Sequence, residues 1–445
     1  MAVLIKNVSY LIRDAERVEE GKDVLLKENK IWKVGKFTPD WVKGLSSYEV
    51  IDASGKMVIP GFINAHTHLY QSLLKGCQDD LPLVDWCNQV TFPLCQLIAQ
   101  EERKKDDTLG YYWGLLSSLE MLKNGVTTCL NLDMSLNSVF QAWVDSGIRG
   151  IGAITTADMW IPDVLKEEPI QLREKVLSFI EKWHLYGGED SRIYVMFGPS
   201  APFVCSEDLL LWTREEASKR KMHIHTHIAE TLYEVELLEK ENGLRPLKYL
   251  HSLGFLGPDL SAAHCIHLDD EELELIKRYQ VIPVHNPKSN MKLASGIAPV
   301  TKMLSMGIKV GLGTDGCASN DNLDMFEEMR FASLLQKVAT ANSAAFSARD
   351  AFRMATEGGA LACGIDAGTI DEGKLADLVI IDLEQPHLYP LHDPINTLVY
   401  CGKSSDVETV IINGQVVVRN KEVISLPERE VLEEARRVIA TKITY

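Results

Sequence analysis

Eight short apolar segments recur through the middle of this chain, each followed by an amphipathic stretch. They are VIPGFINAH (58–66), TTCLNLD (127–133), IRGIGAITT (148–156), IYVMFGPS (193–200), HIHTHIAE (223–230), LSAAHCIH (260–267), VIPVHNP (281–287) and KVGLGTD (309–315). Their Val, Ile and Thr content and short length fit buried strands. The stretches between them read as helices. TLGYYWGLLSSLEMLKNG (108–125) closes on Gly125 as a C-terminal cap, and DDEELELIKRYQ (269–280) places acids in its first turn. Eight strand–helix units are the count of a (β/α)8 TIM-type barrel. A doubly wound open sheet is the rival, but it predicts a glycine-rich phosphate loop after the first strand, and none is there.

The two ends have another rhythm. Residues 1–57 and 375–425 alternate Val/Ile runs with Asn-Gly and Gly-Lys turns, a pattern of strands and hairpins. The expected architecture is α/β: the barrel over 58–374, with a small β-sandwich domain built from both termini, 1–57 and 375–445.

Composition narrows the function. The net charge of -17 disfavours nucleic acid or an anionic membrane as a partner. No apolar stretch is long enough to span a bilayer, and the N-terminus alternates like a strand rather than a signal peptide. Nine cysteines without a C-x-x-C pair argue against a disulfide framework and point to a reducing, cytoplasmic compartment.

If the barrel reading holds, chemistry belongs at the C-terminal ends of the strands. His66 and His68 end the first strand, and residues two apart on a strand face the same side. His227 ends the fifth. His223 and His225 share its face but lie earlier in the strand, so they are expected inside or below the barrel. Asp315 ends the eighth strand, beside the first in a closed barrel. Each alone has an ordinary structural explanation. Together, three imidazoles and one carboxylate form a donor set that suits Zn²⁺, with Fe²⁺ also possible. A bound divalent ion lowers the pKa of water towards ~7 and generates hydroxide. Glu230, just past His227, is the expected proton handler, and His264, at the end of the sixth strand, the group that orients water or polarises the substrate. His267 is a supporting candidate. Gly296, in the loop NPKSNMKLASG (286–296), is expected to supply a special backbone angle.

Taken together, PGFINAHTH, HIAET, AAHCIH, NPKSNMKLASG, GTDGCASNDNLDM and the tail motif ADLVIIDL resemble the amidohydrolase superfamily. The branch is that of methylthioadenosine/S-adenosylhomocysteine deaminases, guanine deaminases and triazine hydrolases. The resemblance spans nearly the whole chain. It implies one metal ion, usually zinc, at His66, His68, His227 and Asp315, with catalytic roles for Glu230, His264 and Asp315. It also implies hydrolytic deamination of an amino-substituted N-heterocycle. The alternatives are a triazine-type hydrolase that displaces chloride or an alkylamine, and a non-catalytic scaffold relative. The fourth strand offers no lysine to bridge a second metal.

Substrate contacts are expected from Trp86, Cys95, Arg149, Ser200 and Asn290. In adenosine-type relatives a glutamate that grips ribose stands where this chain has Cys95, and a histidine stands where it has Ser200. Neither replacement offers a charged, bidentate grip on a diol. A free base, a pterin or a triazine-like ring is therefore expected alongside a nucleoside. Trp86, Phe92, Trp160 and Phe203 can stack on a flat ring. The partners expected are a small heterocycle and further copies of this chain in a homo-oligomer.

Overall fold

The computed structural model describes residues 2–78, 80–134 and 136–443. The strands in chain order begin with β1 (Ala2–Ile12), β2 (Val18–Lys27), β3 (Lys30–Gly35), β4 (Tyr48–Asp52) and β5 (Lys56–Pro60). The barrel strands are β6 (Phe62–Thr67), β7 (Val126–Asp133), β8 (Arg149–Thr156) and β9 (Ile193–Pro199), then β10 (Ile224–Ile228), β11 (Leu260–His264), β12 (Ile282–His285) and β13 (Gly311–Leu312). The chain returns through β14 (Leu378–Asp382), β15 (Val407–Ile412), β16 (Gln415–Arg419) and β17 (Glu422–Val423).

Strands β6 to β13 follow one another around a parallel sheet, each paired with its neighbour, with register shifts between β6 and β7. Side chains close the last seam. Asn64 donates to Thr314 Oγ1 at 2.7 Å and accepts from the Thr314 N–H at 2.9 Å, and the Asp315 N–H donates to the His66 carbonyl at 2.9 Å. Asp315 is thereby pinned beside His66, as the barrel reading requires. Several helices, such as Glu207–Arg220, Leu232–Asn242 and Met325–Ala339, begin on side-chain caps that satisfy free N–H groups. Asp269 and Glu272 form a reciprocal capping box at the helix Asp270–Tyr279.

The terminal strands form one mixed sheet in the order β17-β16-β15-β14-β5-β1-β2-β3, with β4 also paired to β1. The first half of β1 pairs with β4 and its last residues pair with β5, so the sheet branches there. It encloses its own core of residues such as Ile5, Val24, Val58 and Ile380. The last helix, Glu428–Lys442, leaves this sheet and packs on the barrel helix Thr108–Lys123, where Lys123 pairs with Glu428 at 2.8 Å.

The run 58–66, read above as one strand, is two. Pro60 ends β5 in the terminal sheet and Phe62 begins β6 in the barrel. Only Gly61 separates them, and a Cβ there would stand 2.2 Å from Thr127 Oγ1. Nothing larger fits this crossing point between the two sheets.

Candidate metal centre and active site

His66, His68, His227 and Asp315 converge at the C-terminal end of the barrel, as do Glu230 and His264. The ligating nitrogens of His66, His68 and His227 lie within 4.8 Å of one another, and so do donor atoms of His66, His264 and Asp315. His68 Nε2 is 3.1 Å from His227 Nε2, and Asp315 Oδ1 is 3.5 Å from His66 Nε2 and 3.6 Å from His68 Nε2.

The outer nitrogen of each ring is already engaged. His68 Nδ1 lies 2.5 Å from the Leu132 carbonyl, and His227 Nδ1 lies 2.6 Å from the Ser200 carbonyl. A carbonyl only accepts, so both rings carry their proton on Nδ1 and turn a bare Nε2 inward. His66 Nε2 is buried without any hydrogen-bond partner. A buried nitrogen of this kind is costly unless a ligand completes it. These three nitrogens and the carboxylate therefore fit one divalent ion in both number and chemistry.

Burial and mutual charge set the ionisation of this centre. Burial pushes His66 down to about 4, only partly opposed by Asp315. His227 is held well below its ordinary value, by burial first and then by His66 and His68. Burial also lowers His68, but Asp133 and Asp315 outweigh it and the net direction is upward. Burial alone would raise Asp315, yet His66 and the other imidazoles hold it well below the usual carboxylate range. Glu230 is raised, by burial first, with Asp315 adding to the rise. A carboxyl so displaced is suited to proton transfer.

The backbone is strained at this end of the barrel. Ala229, His264, Cys265 and Asp315 all adopt positive φ, between 49° and 70°. Such angles are rare outside glycine and cluster where surrounding structure must aim a functional group. Glu234 holds one of these turns, accepting from the Ala229 and Glu230 N–H groups at 3.0 Å each. Glu230 in turn accepts from Ser295 Oγ at 3.4 Å and has Oε2 3.6 Å from His264 Nε2.

Three of the expected substrate contacts have other partners. Arg149 starts β8, at the opposite end of the barrel from the metal centre, and is fully buried. Its Nε and Nη2 clamp Asp377 at 2.7 and 3.0 Å, Nη2 also reaches Asn413 at 2.9 Å, and Nη1 donates to the Ser191 carbonyl at 3.3 Å. It joins the barrel to the terminal sheet. Asn290, also buried, accepts through Oδ1 from His264 Nδ1 at 2.9 Å and so aims that ring. Ser200 contributes its carbonyl to His227. Trp86 and Cys95 lie in the long segment after β6 and are buried. Burial pushes the Cys95 thiol up to about 12.

His267 anchors the loop that carries Ser295, through the Ser295 carbonyl at 2.7 Å. Gly296 has φ +131°, and a Cβ there would press to 2.8 Å from Ile266. His225 lies inside the barrel beneath the metal centre, whereas His223 precedes β10 and packs against Gly364.

Sequence reasoning missed Asp133, Ser289 and Ser319. Asp133 ends β7, accepts from the Tyr70 N–H at 3.1 Å, and leaves Oδ1 unpartnered 3.5 Å from His68. Its place at a strand end was a usable signal. Ser289 and Ser319 donate to Asp315 Oδ2 at 2.5 and 3.3 Å. Nothing in their local sequence marks them.

The chain belongs to the amidohydrolase family, whose model matches residues 57–417. A 5-methylthioadenosine/S-adenosylhomocysteine deaminase of Carboxydothermus hydrogenoformans is 40% identical, across 98% of this chain and 97% of the relative. A 5'-deoxyadenosine deaminase of Methanosarcina acetivorans is 39% identical, across 98% and 96%. Among solved structures, an adenosine deaminase from Xanthomonas campestris with bound zinc superimposes with a TM-score of 0.89 at 29% identity, covering 99% of this chain and 98% of its own. Members of this family are metal-dependent hydrolases, and the His/Asp cluster above is where this chain can hold its metal.

Proposed function

We propose that this protein is a mononuclear, zinc-dependent aminohydrolase that replaces the amino group of a 6-aminopurine with oxygen and releases ammonia. The observation that carries the reading is the convergence of the bare His68 and His227 Nε2 atoms, the unpartnered His66 Nε2 and Asp315 beside Glu230 and His264. The relatives' names supply the substrate class, since the two reported above are deaminases of adenosine derivatives. Three neutral imidazoles and one carboxylate suit zinc.

When bound, the ion supplies a water acidified towards ~7. Glu230 accepts a proton from the attacking water and delivers one to the ring nitrogen beside the attacked carbon. Its raised affinity for a proton fits both roles. His264, aimed by Asn290, faces the oxygen as charge develops on it. Glu230 then takes the second proton from the added hydroxyl and passes it to the amine; the carbon–nitrogen bond breaks, ammonia leaves, and the ring keeps the oxygen as a carbonyl.

The test is ammonia release by zinc-loaded protein from adenine, adenosine, 5'-deoxyadenosine and 5'-methylthioadenosine. Release from at least one is expected, together with its loss under a chelator. Asp315→Ala is expected to bring activity below detection. Zinc-loaded protein that releases no ammonia from any of the four would overturn the reading.

A further inference from the structure

The three histidines of the metal centre differ in what holds their outer nitrogen. For His68 and His227 it is a backbone carbonyl, which fixes the tautomer outright. His66 Nδ1 instead faces His225 Nε2 at 2.8 Å. An imidazole nitrogen can donate or accept, so this contact alone leaves the His66 proton unplaced.

The next bond places it. His225 Nδ1 lies 2.8 Å from Ser261 Oγ, and that hydroxyl lies 3.4 Å from the Ile224 carbonyl. The carbonyl only accepts, and a metal on His66 Nε2 requires the His66 proton on Nδ1; both are met when the hydroxyl proton is assigned to the carbonyl. Ser261 Oγ then accepts from His225 Nδ1–H, His225 Nε2 accepts from His66 Nδ1–H, and His66 Nε2 is left bare. Both rings and the serine are buried at 2% exposure or less, so solvent does not compete.

Two levels of the fold build this chain. The parallel register of β10 and β11 sets His225 directly opposite Ser261. β6 and β10 are the first and fifth strands of the barrel, so the His66–His225 contact crosses its interior.

We propose that His225, oriented by Ser261, is a positioning residue that fixes the His66 tautomer and so presents a bare nitrogen to the metal. The proposal rests on the metal-centre reading above. His225 does not touch the metal or the substrate. It acts only through His66.

The experiment uses zinc-stripped full-length protein and measures zinc affinity against a competing chromophoric chelator. His225→Leu is expected to weaken zinc binding about 10- to 100-fold, the usual effect of losing such a support. His225→Gln, whose amide oxygen can still accept from His66, is expected to recover most of that loss. Ser261→Ala keeps both rings and is expected to weaken binding by a smaller factor. Nitrogen-15 NMR of the zinc-free protein gives a second readout, independent of affinity and activity: His66 as a single Nδ1–H tautomer in the wild type, and a mixture in Ser261→Ala.

Wild-type affinity in both His225→Leu and Ser261→Ala would overturn this proposal while leaving the metal centre intact. A mixed His66 tautomer in the wild type would overturn it as well, even if His225→Leu failed to fold. Wild-type protein that bound no zinc would overturn the metal centre and this proposal together.

Discussion

At the N-terminal end of the barrel, Arg149 is fully buried and its Nε, Nη1 and Nη2 all donate to fixed acceptors. At the C-terminal end, equally buried polar groups are left incomplete. His66 Nε2 and Asp133 Oδ1 have no partner, and Glu230 is displaced towards its protonated form. Both ends bury charge, which is costly unless paired. One end has spent its donors and acceptors on joining two sheets. The other leaves donor atoms open, on a strained backbone, where the proposed metal and substrate would bind. Burial of a charged residue therefore does not mark function in this fold; what sets the C-terminal end apart is the convergence of several donor atoms on one point.

The contrast predicts that substitutions at the two ends separate activity from stability. The largest effect is expected at Glu230. Glu230→Gln should lower kcat about 10²- to 10⁴-fold. Zinc content and the urea midpoint should stay near wild type, as measured by metal analysis and chemical unfolding. A comparable loss of stability would erase the distinction. Next comes Arg149→Met, which strands Asp377 and should cost about 3–5 kcal/mol in urea unfolding. The protein that remains folded should keep kcat within about twofold of wild type, because all the Arg149 bonds lie at the far end. Adding Asp377→Leu should restore much of the loss, since no unpaired charge then remains.

The smallest effect sharpens the comparison by pH. Glu328 is fully buried beneath the Asp315 turn. It accepts from Asn320, which also donates to the Thr314 carbonyl, and burial pushes it up to about 8. Between its ordinary value near 4.5 and about 8, the unfolded chain loses this proton and the folded chain keeps it. Wild-type stability therefore falls as pH rises through that window and levels off above it. Glu328→Gln removes this dependence. Its melting temperature relative to wild type should climb from about pH 4.5 to about pH 8 and then stay constant, as read by thermal unfolding across pH. A flat difference would mean that Glu328 is already ionised in the fold.

Much of this was legible in the sequence because strand ends in a barrel have a fixed meaning. His66, His227, His264 and Asp315 were found by position at the end of an apolar run, and Asp133 would have been found by the same rule. The rule also tells against Arg149, which stands at the start of its strand. The resemblance to family members led to a substrate role where position implied a structural one. Ser200 meets His227 through its carbonyl and Asn290 meets His264 through its side chain, a difference that residue type alone does not reveal. The division at Gly61 was hidden for a different reason. VIPGFINAH is one uninterrupted apolar run, and only the packing against Thr127 shows that it belongs to two sheets.

That division has a consequence for how the chain is made. β5 lies between β1 and β14, yet the entire barrel separates β5 from β14 along the chain. At ribosomal speed, that interval is on the order of tens of seconds. Throughout it, the apolar residues Val58 and Ile59 line an open sheet edge, the kind of surface that recruits strands from other molecules. Asp377, the counter-charge of Arg149, emerges only just before β14. The nascent protein thus carries a sticky edge and an uncompensated cation at the same time, and the same short segment relieves both.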